Sequence, residues 1–134
     1  MILQISSSYP HSPNDHRGNF VADFGGSLIS RGWDVRTITP ASLGLKPGLF
    51  GGDGIINNLR KRPTRLAQLP QVARRLHLEL SSLRPRSRAI IAHWLLPFGL
   101  LATEPYRKKD TPVWVVCHSG GVRALQCERR RRLR

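Results

Sequence analysis

Apolar residues in this chain alternate between short runs and helix-spaced stripes, and the two patterns take turns along its length. Ile2-Leu3-Gln4-Ile5 is a short, mostly apolar run that predicts a first strand. Residues 6–15 are dense in Ser, Pro and Asn and predict a loop. A helix is expected to begin between His16 and Asn19, because Phe20, Val21, Phe24, Leu28 and Ile29 recur at helical spacing and would face a sheet. Gly32 suits the left-handed residue that commonly ends a helix. Asp34 to Thr39 alternates apolar and polar positions and predicts a second strand, stopped by Pro40.

The stretch from Ala41 to Asn58 holds Gly44, Pro47, Gly48, Gly51, Gly52 and Gly54 and is expected to be mostly loop. Helical spacing returns from Leu59 to Leu83, interrupted at Pro63 and Pro70, with Leu76, Leu80 and Leu83 on its apolar face. Ala89 to Ala92 and Pro112 to Cys117 are continuous apolar runs, the signature of parallel strands covered on both faces. Between them, Leu95 to Ala102 predicts a short helix with Pro97 in its first turn. Strands alternating with helical stripes define an α/β class, a Rossmann-like doubly wound parallel sheet. No internal repeat is visible. Val122 to Leu125 starts a further helix, after which the sequence turns to arginine, so the sheet reads as incomplete.

Two histidines change this from a fold to a site. His93 and His118 each directly follow an apolar run read as a parallel strand, and open α/β sheets bind ligands at the carboxyl ends of their strands. Together they predict one crevice for a polar small molecule. Ser119, Gly120 and Gly121 after His118 would let backbone approach a ligand closely. His93 on its own reads as a structural hydrogen-bonding group. Gly18 and Asn19, at the start of the first helix, place backbone donors where phosphate is attracted; Gly18 reads equally well as a turn glycine. A Gly-x-Gly-x-x-Gly fingerprint and a Walker motif are both absent. Gly25-Gly26 falls inside the helix and suggests close packing on a strand. Cys117 and Cys127 read as small inert residues without metal-ligand spacing. His11, His16 and His77 show no evident partners. No Ser-His-Asp set or paired carboxylates stand out, and eight acidic residues leave metal-assisted hydrolysis short of ligands. No metal and no cofactor are expected.

Composition narrows the partners. A length of 134 residues, 40% hydrophobic and 7% aromatic, predicts one globular domain rather than a disordered chain. The net charge is +14, of which the stretch Glu128 to Arg134 carries +4. Aromatics do not interleave with the basic residues, and no nucleic-acid motif is present, which argues against nucleic acid as partner. Phosphate-bearing ligands or anionic lipid headgroups fit the scattered charge better. No apolar stretch reaches the length of a membrane span, and residues 2–5 run into serines too early for a signal peptide. A cytoplasmic protein, peripheral at an anionic membrane surface, is the expectation. Residues 126–134 are expected to form a disordered basic tail behind a domain spanning 1–125.

The ordered set of segments resembles the amino-terminal half of a family-four glycosyltransferase, the group built from two facing Rossmann-like domains (the GT-B architecture). His11 to Asp23, Arg31 to Pro40, Gly52 to Ile55 with Asn58-Leu59-Arg60, Ala92 to Leu100 and Thr111 to His118 carry the resemblance, which covers the chain to about Leu125. It implies a domain that binds a glycan or lipid-linked acceptor and faces a nucleotide-sugar donor across a cleft. The Gly18 loop would then lie near the donor diphosphate, and His118 would match the family histidine beside the transferred sugar, with His93 next to it at the crevice. The family usually shows Gly directly after this histidine and Asp two residues further on; here those places hold Ser119 and Gly121. The donor-binding carboxyl-terminal domain, with its spaced glutamate pair, has no counterpart, since Glu79, Glu104 and Glu128 are not placed that way. The resemblance therefore implies a truncated or separately encoded domain without sugar transfer on its own. A non-catalytic module binding a glycan, nucleotide-sugar or anionic lipid is the alternative.

Overall fold

The computed structural model describes residues 1–10, 12, 14–45, 49–50, 55–103 and 111–118. Its centre is β1 (Ile2–Ser6), buried at every position. β2 (Val35–Ile38) pairs with one edge of β1 and β3 (Ala89–His93) with the other; β4 (Val113–Val116) adds beyond β3. All pairings are parallel, and the order is β2-β1-β3-β4. Burial on both faces explains why the first and third strands read as continuous apolar runs.

The pleat sorts the side chains onto two faces. Leu3 and Ile5 of β1 and Ile90 and Ala92 of β3 join one core cluster with Val72, Leu76 and Leu80 of α3 (Leu69–Leu83). Phe98 and Ala102 close that cluster from the segment after β3. Gln4 points the other way, under α1 (Asn19–Ser30), where its Nε2 donates to the Val21 carbonyl at 2.8 Å. The β1-to-β2 and β2-to-β3 crossovers run in opposite directions along the sheet, so right-handed connections put α1 and α3 on opposite faces. The expected doubly wound α/β arrangement is what the chain adopts, over four strands.

Local differences from the sequence reading have simple causes. The buried stripe of α1 is Val21 and Gly25, narrower than expected. A Cβ on Gly25 would stand 3.4 Å from the Gln4 Oε1, so the glycine lets the helix settle onto β1. Ile29 is left 58% exposed, and Phe20 and Phe24, one position back on the helical wheel, turn toward the ends of β3 and β4. α2 (Ile55–Lys61) begins inside the stretch expected to be loop. Both expected interruptions fall at helix boundaries: Pro63 opens a 3-10 helix (Pro63–Gln68), and Pro70 sits in the first turn of α3, which begins where that helix ends and where an N–H would have no helical partner. Leu95 to Ala102 is a wide, π-type turn (Leu95–Gly99) broken by the extended Leu96, followed by the short α4 (Leu100–Thr103).

Past β2 the chain folds back under α3. Thr39 and Ser42 exchange hydrogen bonds, and Arg75 of α3 donates through Nη1 to the carbonyls of Leu43 (2.6 Å) and Gly44 (2.7 Å). On the α1 side of the sheet, Trp114 and Val116 of β4 extend beyond the helix and are 65% and 38% exposed. Among the described residues no helix is long and apolar enough to cross a membrane. The basic tail at 126–134 and the helical pattern at 122–125 lie outside the described residues.

Candidate functional site

Parallel register levels the strand ends. Ser6 of β1 lies beside His93 of β3, and His93 beside Val116 of β4. His118 follows two residues later, while the Trp94 N–H donates to the Val116 carbonyl (3.0 Å) and carries the pairing one step past His93. The two histidines predicted as neighbours of one crevice do meet. His93 Nδ1 is 3.4 Å from His118 Nε2.

Their surroundings are aromatic. The Phe20 ring centroid is 4.3 Å from that of His118 and 6.1 Å from that of His93. Phe24 meets His93 edge to face at 5.6 Å. Trp94 tilts against His118 at 4.6 Å, and Phe20 joins it at 5.9 Å. His93 is thereby only 3% exposed. Burial, with the charge of His118 second, pushes its imidazole down to about 4, and burial also lowers His118. Both rings are therefore neutral at pH 7.

Two polar atoms in this cage are buried without a partner among the described residues: His93 Nε2 and the Trp94 indole N–H. Trp94 also holds a positive φ of 77°, a conformation costly for a bulky side chain. Strain and unpaired polar atoms gather at working sites more than at purely structural ones.

Gly18 and Asn19 border the cage without touching the histidines in any described contact. Gly18 has φ 72° and is the residue before the first turn of α1; a Cβ there would run into the Ser8 carbonyl and stand 2.7 Å from its carbon. The turn reading of Gly18 is thus sufficient for its presence, and its helix delivers Phe20 to both histidines. Asn19 Nδ2 lies 3.5 Å from His16 Nδ1. Just before it, Asp15 holds Arg17 through paired contacts at 2.8 and 2.9 Å, which raises the guanidinium further above neutrality. Ser119 and Gly120, the other predicted ligand contacts, lie outside the described residues, as does Cys127. Cys117 is a free, exposed thiol. Among the described residues no group of three or more His, Cys, Asp or Glu could hold a metal ion.

Phe20, Phe24 and Trp94 escaped the sequence reading as members of the site. The helical spacing of the phenylalanines directs them at the sheet rather than at its edge. A signal existed for Phe20: the first turn of a helix that follows a central strand overhangs the carboxyl edge. Comparison with known protein families, curated proteins and solved structures finds no match to this chain.

Proposed function

We propose that this chain is the acceptor-side domain of a family-four glycosyltransferase of the GT-B type, and that its sheet edge meets the sugar-diphosphate end of a nucleotide-sugar beside a glycan or lipid-linked acceptor. The observation that supports this most directly is the meeting of His93 and His118, 3.4 Å apart, above the carboxyl ends of β3 and β4. That edge is where an open α/β sheet takes its ligand. His118 is the half-exposed partner and offers a ring nitrogen to a sugar hydroxyl or phosphate oxygen. The start of α1, directly before Phe20, adds a helix dipole whose positive end favours the diphosphate. A net charge of +14 draws the same anionic ligands, and suits work in the cytoplasm at an anionic membrane surface.

Sugar transfer also requires a donor-binding partner surface that completes the preorganised site. Calorimetric titration of the chain with uridine diphosphate, UDP-glucose and GDP-mannose tests the reading. Binding that His118→Ala weakens tenfold or more is the expected result, about 1.4 kcal/mol of lost affinity. Equal affinity of wild type and His118→Ala for every nucleotide, or no binding at all, would overturn it. Saturable binding of a glycan with no response to any nucleotide would favour the binding-module reading instead.

A further inference from the structure

Three numbers for the histidine pair fix its geometry more tightly than any does alone. The ring centroids are 5.6 Å apart and the planes differ by 11°, while the facing nitrogens are 3.4 Å apart. The centroid separation exceeds the nitrogen separation by about two ring radii. That is possible only when the rings lie end to end, nearly coplanar, with Nδ1 of His93 and Nε2 of His118 aimed at each other. Rings stacked face over face would bring the centroids much closer than this. A cation held by both would need their lone pairs to converge at roughly a tetrahedral angle, with ring nitrogens about 2 Å from the metal. These lone pairs oppose each other along one line instead. The contact is an N–H···N hydrogen bond with room for one proton.

We propose that His93 and His118 form a dyad that shares a single ring proton, in which buried His93 is the positioning residue that dictates which face, donor or acceptor, His118 presents at the sheet edge. A neutral imidazole carries one N–H and one lone pair. If His93 Nδ1–H donates, His118 accepts at Nε2 and must carry its own proton on Nδ1. If His118 Nε2–H donates, His93 accepts at Nδ1 and carries its proton on Nε2. Either way the two rings hold the same tautomer, both Nδ1–H or both Nε2–H. The outer nitrogen of His118 is a donor in the first state, suited to a phosphate or sugar oxygen. It is an acceptor in the second, suited to a hydroxyl. A histidine free in water shows no such coupling.

The cage makes the coupling strict. The side chains packed on the pair are Phe20 and Phe24 from α1 and Trp94 after β3, none of them ionisable, and Ser6 is the register neighbour of His93. No described carboxylate contacts either ring to compete for the shared proton. His93 Nε2 is sealed from water, so Nδ1 has His118 as its outlet. What the outer nitrogen of His118 binds rests on the function proposed above; the dyad itself belongs to the ligand-free chain.

Long-range 1H–15N correlation spectra of the 15N-labelled chain at pH 7.5 read each tautomer directly. His93→Phe and His93→Asn assign the signals and supply the perturbation. The expected result is one matched tautomer for His93 and His118 in the wild type. In His93→Phe, which keeps the bulk but has no nitrogen, His118 should relax to the mixed tautomer population of a solvated histidine. His93→Asn, whose carboxamide can still meet Nε2, should hold His118 in a single tautomer. Opposite tautomers in the wild type, or a His118 spectrum unchanged by His93→Phe, would overturn the dyad. If His93→Phe fails to fold, the wild-type match and the asparagine variant still decide. Uridine diphosphate added to the same sample separates the two proposals: matched tautomers with no shift at His118 keep the dyad and remove its ligand.

Discussion

Gln4 reaches out of the central strand to the backbone of α1, its Nε2 donating to the Val21 carbonyl at 2.8 Å from a fully buried side chain. The same amide leaves Oε1 without a partner among the described residues. An unpaired buried acceptor offsets much of what the one hydrogen bond contributes. Gln4→Met, similar in length and without the amide, should therefore change stability by no more than about 1 kcal/mol. Gln4→Ala opens a cavity under the helix and should cost about 2–4 kcal/mol. Urea denaturation compares the two; a methionine variant as unstable as the alanine one would show that the amide holds helix to strand.

Gly18 and Gly26 lie within one helix-length of each other and should respond oppositely to alanine. Gly18 combines φ 72° with a Cβ position against the Ser8 backbone, so Gly18→Ala should destabilise the fold by about 2–4 kcal/mol. Gly26 lies within α1 with nothing within 4 Å of its Cβ position. Gly26→Ala should stabilise by about 0.5–1 kcal/mol, since glycine is a poor helix former. Thermal melts of the two variants should move apart in opposite directions from the wild type.

Arg75 fastens the turn after β2 through its contacts with the carbonyls of Leu43 and Gly44. Charge-assisted hydrogen bonds to backbone are worth more than neutral ones, and Arg75→Met retains the aliphatic stem while removing both. A loss of about 1.5–3 kcal/mol is expected. Hydrogen exchange should show amide protection falling first at Leu43 and Leu45, whose N–H groups bond within that turn. Loss of protection spread evenly over the sheet would point to a global role instead.

Acid should loosen the protein through His93. Its imidazole titrates at about 4 when folded, below the 6.5 of an unperturbed histidine. The unfolded state thus binds its proton first, and the stability this group contributes is complete above pH 6.5 and lost as pH falls toward 4. The span is on the order of 2–3 kcal/mol. Denaturation midpoints between pH 7 and 4.5 should fall in the wild type and flatten in His93→Phe. An equally steep fall in both would assign the acid sensitivity to other groups.

The fold was legible because its signals are local and repeated. Apolar runs such as Ala89 to Ala92, alternating with helical stripes, fit strands covered on both faces in a parallel sheet between helices. The meeting of His93 and His118 was legible for the same reason, since strand order alone brings adjacent carboxyl ends together. What surrounds them was not. The exposure of Phe20 and Phe24 depends on how far Gly25 lets α1 sink toward Gln4, a contact between residues distant in sequence. The positive φ of Trp94 is imposed by the turn that follows β3, and no residue type announces it. Pro63 and Pro70 were legible as breaks, because a residue that cannot continue a helix interior fits the first turn of the next helix.

Trp114 has an optical consequence. Its indole stands 65% exposed on the uncovered face of β4, and Trp33 is 40% exposed, whereas Trp94 rests against the imidazole of His118. The first two emit from a watery environment, and the third sits beside a group that quenches strongly once protonated. The chain thus carries its own pair of dyes. A blue shift registers anything that settles on the edge strand, and a pH-dependent dimming registers the charge state of the histidines.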